Sequence, residues 1–238
     1  MERLDKLLAN TGKWSRKEAK DLLKQGRVTV DGALAARPEE KYGETAVITV
    51  DGAPISHSAN TYIMLHKPAG ILSATEDRKQ KTVLDLLTEP LQKQGLFPVG
   101  RLDKDTEGLL LLTNDGPLAH RLLAPKSHVD KVYFTRVAGT LTPADTLAFA
   151  GGMTLGDGLQ CQSAGLEILS DPSTALVTLH EGKFHQIKRM LAALEKPVVY
   201  LKRLSMGTLV LDEGLEPGAW RPLTAEEMHL LLEEKGNS

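Results

Sequence analysis

The chain has few of the residue types and segments that define several protein classes. A single cysteine, Cys161, excludes a disulfide framework and a zinc site made of thiolates. No apolar run reaches the ~20 residues that a membrane-spanning helix needs. The first residues also lack the apolar core of a signal peptide. We therefore expect a cytoplasmic protein.

Aromatic residues and cofactor motifs are scarce as well. Only four Tyr and four Phe occur among 238 residues, so we do not expect an extended stacking platform for single-stranded RNA. The sequence contains no Gly-x-Gly-x-x-Gly fingerprint, no phosphate-binding loop and no His pair at metal-ligand spacing. Nothing in these patterns indicates a nucleotide or metal cofactor.

The net charge of −2 hides two ends of opposite sign. Residues 1–30 hold eight Lys or Arg against four acids, and residues 212–238 hold seven acids against two basic residues. A basic end can bind a polyanion even when the total charge is near zero. On charge alone, however, two solvated helix faces are the simpler interpretation.

The first fifty residues have the pattern of two short helices and two strands. Ser15 and Glu18 form a capping box for the second helix, and Gly26 suits the position that ends it. Residues 28–30 and 46–50 alternate as strands, and each run precedes an Asp-Gly turn. Without further information, a small helical cap would be the simplest assignment.

This order of elements resembles the S4 RNA-binding module. The resemblance covers about residues 1–50, with the motif Arg-Leu-Asp-Lys-Leu-Leu…Ser-Arg…Gly-Arg-Val-Thr-Val-Asp-Gly. In that module the basic second helix and the following turn lie against RNA backbone. The resemblance therefore implies that five cations bind phosphate: Arg16, Lys17, Lys20, Lys24 and Arg27. We predict an S4 domain over residues 1–58.

The rest of the chain predicts a larger domain after a polar linker at 51–60. Strands are expected at 62–65, 109–112, 132–137, 175–179, 198–201 and 208–211. Helices are expected at about 83–87 and 185–194, from the Thr142-Pro143 pair, and after the box Thr224–Glu227. This pattern predicts an α+β fold over residues 60–238, with a mixed, mostly antiparallel sheet flanked by helices.

The most informative segment is a polar loop between Gly100 and Gly108, directly before four leucines that predict a buried strand. A carboxylate on a loop held by a rigid strand is well placed for function, so Asp103 is a candidate catalytic residue. An aspartate that caps its own turn is the alternative, and it also suits Asp105. We interpret residues 114–116, Asn-Asp-Gly, as the turn that closes the strand.

Five segments resemble, in order, the signature motifs of the RsuA-type pseudouridine synthases. The loop and strand match Gly-Arg-Leu-Asp-x-x-Thr-x-Gly-Leu-Leu-Leu-Leu-Thr-Asn-Asp-Gly. The other matches are Tyr62–Gly70, Lys131–Tyr133, Glu181–Met190 and Arg221–Thr224. The resemblance implies an isomerase that breaks the N1–C1′ bond of a uridine, rotates the freed uracil and rejoins it through C5. That reaction involves no redox change and no phosphate transfer, so the resemblance implies no cofactor and no metal.

The resemblance also implies roles for residues around the target uridine. Asp103 is the essential carboxylate, acting as nucleophile at the sugar or as base at its 2′ position, and Lys188 keeps it ionised. Tyr133 stacks on the base, Ile187 packs on its other side, and Arg101 can fill the gap that the extruded uridine leaves. From the residues alone, Tyr133 also suits a plain sheet position, Ile187 a helix core stripe and Lys188 an exposed surface.

Three further expectations concern the loop and the substrate. His185 and Gln186 shape the third motif rather than react, and Glu107 departs from the Ser or Thr of several relatives. The segment from Ser73 to Leu87 resembles the small-subunit enzymes, so we expect a monomer that modifies a specific uridine of 16S ribosomal RNA or of the assembling small subunit. A 23S enzyme and a non-catalytic assembly factor are alternatives, whereas a glycosidase-like hydrolase normally needs a second paired carboxylate.

Overall fold

The structure is a computed structural model that describes residues 1–43, 45–55, 60–124, 127 and 129–233. Part of the expected linker, 56–59, and the last residues of the expected second domain, 234–238, lie outside these described residues. The boundary between the two domains near residue 58 therefore stays a prediction.

The N-terminal part folds into two helices packed on small sheets. The helices are α1 (Leu4–Asn10) and α2 (Arg16–Lys24). The strands are β1 (Glu2–Arg3), β2 (Val28–Val30), β3 (Ala33–Leu34), β4 (Lys41–Tyr42), β5 (Ile48–Val50) and β6 (Ala53–Pro54). A four-stranded antiparallel sheet has the order β3-β2-β5-β6, and β1 pairs with β4. Buried leucines of both helices form the core beneath these strands.

The predicted capping box does begin α2. Glu18 donates its backbone N–H to Ser15 Oγ at 3.3 Å, and the Ser15 N–H donates to Glu18 Oε2 at 2.6 Å. These bonds satisfy two N–H groups that a helix start leaves without partners. Gly26 follows the helix with φ of +69°, the left-handed conformation that glycine adopts without steric cost.

Two local details differ from the sequence-based expectations. The strand expected at 46–50 begins only at Ile48, because Val47 instead exchanges hydrogen bonds with Asp31 in the preceding turn. The expected linker is not wholly irregular, since Ala53–Pro54 pairs with β5 and extends the small sheet. Both differences arise because tertiary pairing sets where each strand starts and ends.

The second part of the chain forms one large sheet with helices around it. Its strands are β7 (Tyr62–Lys67), β8 (Phe97–Pro98), β9 (Glu107–Thr113), β10 (Lys131–Val137), β11 (Met153–Thr154), β12 (Gln160–Cys161), β13 (Gly165–Ile168), β14 (Thr174–Leu179), β15 (Val198–Met206), β16 (Leu209–Val210) and β17 (Trp220–Pro222). The helices are α3 (Glu89–Gln92), α4 (Gly116–Leu123), α5 (Pro143–Gly151), α6 (Gln186–Ala193) and α7 (Ala225–Glu233).

The order of strands in the large sheet is β13-β14-β10-β15-β9-β7-β17, with β16 beside β15 and β8 beside β9. Neighbouring strands run antiparallel except β9 and β15, which run parallel. The strands β11 and β12 form a separate pair. The predicted α+β fold with a mixed, mostly antiparallel sheet is confirmed.

Two expected elements have a different character in the structure. The helix expected at 83–87 is a single 3-10 turn, Val83–Leu86, after which Leu87 returns to an extended conformation. The expected Asn-Asp-Gly turn is the start of α4, because the Asp115 carboxylate accepts a hydrogen bond from the backbone N–H of Leu118 at 3.0 Å. The prediction of a turn that closes the strand was therefore wrong, because Asp115 is the N-cap of a helix.

Strand β9 lies in the middle of the fold and is covered on both faces. Leu110 and Leu112 belong to the core on one side of the sheet, and Leu109 and Leu111 to the core on the other side. All four leucines are fully buried. The loop that carries Asp103 is therefore joined to a strand that is buried on both faces.

The N-terminal module contacts the larger domain close to this strand. Asn114, which follows β9, donates its side-chain N–H to Asn10 Oδ1 at 2.7 Å, and Lys6 Nζ donates to Asn60 Oδ1 at 3.0 Å. Gly12 lies so close to Pro90 that a Cβ on this glycine would be 2.5 Å from the proline carbonyl oxygen. The two parts are therefore packed together as well as joined in sequence.

Candidate active site

One cleft of about 90 Å³ opens at the start of β9 and is lined by all five residues to which the sequence motifs assign roles around the uridine. These residues are Arg101, Asp103, Tyr133, Ile187 and Lys188. They come from the loop before β9, from β10 and from α6, segments that are up to 87 positions apart in the chain. The fold thus brings three separate motifs to one place.

Two carboxylates share one lysine at this cleft. Lys188 Nζ lies 2.9 Å from Asp103 Oδ2 and 2.5 Å from Asp105 Oδ1. The side chains of Asp103 and Lys188 are 24% and 22% exposed, whereas that of Asp105 is 75% exposed. The half-buried pair can therefore meet a ligand in the cleft, while the second carboxylate faces mostly outward.

The charges of this triad stabilise one another. Burial lowers the pKa of Lys188, but its hydrogen bonds and charge interactions with Asp105 and Asp103 are together larger and raise it above the ordinary value. The hydrogen bond from Lys188 also lowers the pKa of Asp105, against a smaller effect of burial. Near neutral pH the lysine is therefore a cation and Asp105 an anion.

A strained residue holds the imidazole beside the same aspartate. His185, immediately before α6, has φ of +51°, a left-handed conformation that is uncommon for residues other than glycine. Its Nε2 lies 3.5 Å from Asp103 Oδ1. Gln186 braces the same loop, since it accepts a hydrogen bond from Lys183 N–H and donates one to Glu181. The contacts of Gln186 agree with the loop-shaping role expected for it.

A buried lysine organises the loop from below. Lys67, the last residue of β7, is fully buried, and its Nζ donates to the carbonyl oxygens of Pro68, Lys104 and Thr106 at 3.0, 3.1 and 2.9 Å. Burial lowers the pKa of Lys67 to about 8, against the raising effect of the nearby carboxylates. Two of the three carbonyls belong to the loop 103–106, so this side chain fixes the loop backbone.

Two further contacts constrain the backbone around Asp103. The hydroxyl of Ser73 donates to the Leu102 carbonyl at 2.8 Å and accepts from the Leu102 N–H at 3.1 Å. At the other end of the loop, Gly108 has φ of +106°, and a Cβ there would lie 2.2 Å from the Arg203 carbonyl oxygen. The loop is thus clamped on both sides of the aspartate.

The remaining predicted residues occupy positions that suit both interpretations of the sequence. Tyr133 is 9% exposed in β10 and Ile187 is 4% exposed in α6; both belong to the core, and both line the cleft. Arg101 is exposed at its edge. A position in the core and a place at the cleft are therefore compatible for both Tyr133 and Ile187.

Glu107 does not join the carboxylates of the cleft. Its Oε2 accepts a hydrogen bond from the Tyr200 hydroxyl at 2.8 Å, and burial together with this bond raises the pKa of Tyr200 to about 12. The departure from Ser or Thr at this position is therefore accommodated by a partner on β15.

All five cations expected to bind RNA backbone are exposed, but two of them already have carboxylate partners. Arg16 Nη2 lies 3.3 Å from Asp5 Oδ1, and Arg27 makes two hydrogen bonds to Asp51. The other three extend from α2: Lys17, Lys20 and Lys24. These three lysines form the exposed basic face of the helix.

Sequence reasoning missed the parts that Lys67 and Asp105 play in this arrangement. Asp105 was expected to bond its own backbone, and such a bond does contribute to its lowered pKa, but its contact with Lys188 was not expected, although its spacing of two from Asp103 was a usable signal. A lysine at the end of an apolar strand was a second signal, because a lysine is almost never fully buried without hydrogen-bond partners.

The described residues contain no group of three or more His, Cys, Asp or Glu arranged to hold a metal ion. None of the helices in the described part of the chain is both long and apolar enough to cross a membrane.

The sequence and the fold have clear counterparts among known proteins. A family model described as RNA pseudouridylate synthase matches residues 61–193, and an S4 domain model matches residues 2–48. "Uncharacterized RNA pseudouridine synthase YtzG" of Bacillus subtilis is 49% identical, over 97% of this chain and 98% of its own. "Ribosomal small subunit pseudouridine synthase A" of Vibrio cholerae is 42% identical, over 95% and 97%. A solved structure described as "Crystal structure of pseudouridylate synthase" has a TM-score of 0.68 and 35% identity, over 97% of this chain and all of its own.

The two family models, the full-length relatives and the solved structure identify an RNA-modifying isomerase. The chain belongs to the RNA pseudouridylate synthase family, and it is of the RsuA type. The resemblance seen in the sequence motifs is confirmed, as are the S4 domain and the class of enzyme. Both domains imply that RNA is the partner of this chain.

Proposed function

We propose that this enzyme converts one specific uridine of 16S ribosomal RNA to pseudouridine, and that Asp103 is its catalytic carboxylate. The observation that carries the proposal is the ion pair of Asp103 with Lys188 in a cleft that Tyr133 also lines. Full-length similarity to a relative named for the small ribosomal subunit supports the choice of RNA. We further propose that the enzyme acts as a cytoplasmic monomer.

In this proposal the uridine leaves its RNA stack and enters the cleft. Tyr133 stacks on one face of the uracil and Ile187 packs on the other. Arg101 fills the gap in the RNA. The N1–C1′ bond breaks, the uracil rotates, and a C5–C1′ bond forms. The proton on C5 is lost and N1 gains one, so the product is an isomer of the substrate and no oxidant or reductant takes part.

Asp103 acts either as the nucleophile at C1′ or as the base that removes a proton from C2′, and both roles need an ionised carboxylate. Lys188, at 2.9 Å, stabilises this negative charge in a partly desolvated cleft. Lys67 acts indirectly, as a positioning residue, because it fixes two carbonyl oxygens of the loop that carries Asp103.

The decisive experiment replaces the two aspartates separately. We expect Asp103→Asn to reduce pseudouridine formation at least ~10³-fold while rRNA binding is retained, because the amide can neither attack nor remove a proton. Asp105→Asn is the matched control: it contacts the same lysine but is mostly exposed, and we expect less than a ~10-fold loss. Activity of Asp103→Asn close to that of the unmodified enzyme would contradict the proposed mechanism.

The RNA is identified by mapping pseudouridines in ribosomal RNA from cells with and without this enzyme. We expect one position of 16S rRNA to lose its pseudouridine. Purified enzyme added to free 16S rRNA and to partly assembled small subunits then tells which form is the substrate. Loss of a 23S position instead would assign the large-subunit alternative, and no loss at any position would favour the assembly factor.

A further inference from the structure

The most exposed aromatic side chain beside the cleft has no part in the mechanism above. Phe184 is 73% exposed, although the chain has only four phenylalanines. One exposed apolar residue is ordinary on a protein surface. This ring, however, is stacked on His185 and lines a groove of the surface.

The ring of Phe184 is stacked on the imidazole of His185. The two ring centroids are 3.7 Å apart and the planes differ by 21°. Because Phe184 is largely exposed, the ring covers the imidazole on one face and presents the other face to solvent. The pair therefore offers a flat aromatic surface, which is the shape that a nucleobase stacks on.

The loop that carries this stack is held rigidly. Glu181 accepts hydrogen bonds from Gln162 N–H and from the Gln186 side chain at 2.9 and 2.7 Å, and Lys183 forms an ion pair with Glu181 at 3.0 Å. Lys183 also donates to the carbonyl of Gln160. A ring on a braced loop loses little conformational freedom when it binds a ligand.

The stacked rings of Phe184 and His185 lie between the cleft and a second groove of the surface. On one side, His185 Nε2 lies 3.5 Å from Asp103, so the imidazole borders the cleft that receives the uridine. On the other side, Phe184 lines a groove of about 410 Å³ together with Leu155, Asp157 and Arg189. Arg189 is held in place by Asp157, with a nitrogen–oxygen distance of 2.5 Å. The groove thus combines apolar walls with an oriented guanidinium.

We propose that this groove binds the nucleotide next to the target uridine, with its base stacked on Phe184 and its phosphate or base oxygens near Arg189. The inference rests on the proposed function, because it requires single-stranded RNA in the adjacent cleft. Stacking on a π-face accepts every base, so the contact strengthens binding without selecting a sequence. Recognition of the RNA sequence around the target uridine then depends on other contacts.

Binding is tested with a fluorescently labelled oligouridylate and a set of variants at one position. We expect Phe184→Ala and Phe184→Leu to raise the dissociation constant about ten-fold, whereas Phe184→Tyr stays within about two-fold. Leu147→Ala is the matched control, because Leu147 is also 73% exposed but lies on α5. Equal affinity of Phe184→Ala and the unmodified enzyme would overturn the inference and favour a protein contact. Normal affinity of Phe184→Leu would overturn it as well.

A second measurement locates the stacked base. Oligonucleotides that contain the mapped uridine are prepared with and without an abasic site at each neighbouring position. We expect one abasic site to raise KM of the unmodified enzyme about ten-fold while kcat is unchanged, and to have no effect on Phe184→Ala. Independent effects of the abasic site and of Phe184→Ala would overturn the inference. If the unmodified enzyme makes no pseudouridine, the proposed function fails, and the oligouridylate measurement still tests the stack.

Discussion

At the scale of single residues, the arrangement around Asp103 depends on side chains of very different exposure. Lys188 touches two carboxylates at the edge of the cleft, while Lys67 is fully buried and donates hydrogen bonds to backbone oxygens. The first stabilises charge, and the second fixes the shape of the loop. Substitutions at the two lysines should therefore affect different measured quantities.

For Lys188 we expect a loss of activity that depends on charge. Lys188→Met should lower kcat at least about 100-fold with little change in the free energy of unfolding, because a neutral side chain leaves Asp103 without its cation. Lys188→Arg should retain much more activity, since a guanidinium also pairs with carboxylates. Equal losses of kcat in the two variants would show that activity depends on the geometry of this side chain and not on its charge.

For Lys67 we expect a loss of stability together with activity. Lys67→Met removes three hydrogen bonds from a buried ammonium to backbone carbonyl oxygens, although the Lys104 carbonyl keeps the backbone N–H of Gly70 as a donor. The variant should lower the free energy of unfolding by about 3 kcal/mol, measured by urea denaturation. Lys104→Met is the control in the same loop, because Lys104 is exposed and its ammonium donates to the exposed side chain of Gln80. It should change stability by less than about 0.5 kcal/mol.

At the scale of elements, the last helix shows how one ion pair holds a segment. Arg221 on β17 donates two hydrogen bonds of 2.8 Å to the Glu227 carboxylate and one of 2.7 Å to Asp212. Glu227 also accepts from the backbone N–H of Thr224 and so caps α7. The hydrogen bonds from Arg221 lower the pKa of Glu227 to about 2 from the ordinary value of 4.5, against burial.

The stability of this helix should depend on acid pH with a defined sign. A carboxyl group whose pKa is lower in the folded state stabilises the fold above its unfolded pKa, and this stabilisation is lost as pH falls towards the folded pKa. We expect Glu227→Gln to destabilise the protein by about 1 kcal/mol at pH 7, after allowance for solvent screening. The difference from the unmodified protein should shrink between pH 4.5 and about 2. Glu226→Gln, an exposed neighbour, should show neither effect.

The basic face of α2 leads to a prediction about salt. Reversing Lys17, Lys20 and Lys24 to Glu should weaken rRNA binding and make the dependence of log K on log salt shallower by about 2 to 3. Arg16→Gln should change the slope less than any single lysine reversal, because Arg16 already pairs with Asp5. An unchanged slope in the triple variant would mean that this helix does not contact phosphate.

Elements with a strong local signal could be predicted from the sequence. The capping box of α2 and the four leucines of β9 gave the right element in the right place. The start of α4 could not be separated from a turn, because Asn-Asp-Gly has the composition of both and only the contact of Asp115 with Leu118 decides. The roles of Lys67 and Asp105 depend on residues distant in sequence, which no local pattern contains.

At the scale of the whole molecule, the position of the S4 domain relative to the cleft depends on a small contact. Gly12 has φ of +71° and lies against the carbonyl of Pro90, and Asn10 is hydrogen-bonded to Asn114 directly after β9. The S4 domain therefore contacts the residue that directly follows β9, the strand that the Asp103 loop precedes. Family motifs predicted that both domains are present, but not this contact.

We expect Gly12→Ala to loosen the contact between the domains. The added methyl group would lie 2.5 Å from the Pro90 oxygen, so the two domains must separate slightly or strain. Small-angle scattering should give a larger radius of gyration, and KM for rRNA should rise several-fold. Gly32→Ala is the control, because Gly32 has a similar φ of +82° but no atom near its Cβ position. An effect of equal size at both glycines would mean that backbone strain alone is responsible.

The sharing of Lys188 by two carboxylates has a consequence for the full reaction cycle. In the mechanism that we propose, Asp103 is electrically neutral during part of each turnover, whether it forms an ester with the sugar or takes up a proton. A lysine with a single counter-ion would then be left without a partner charge in a partly desolvated cleft. Asp105 remains as an anion throughout, so the ammonium keeps a partner, stays in place and is ready when Asp103 regains its charge. We therefore expect Asp105 to act as a second counter-ion to Lys188 while Asp103 is neutral, an effect small enough to agree with the modest loss expected for Asp105→Asn.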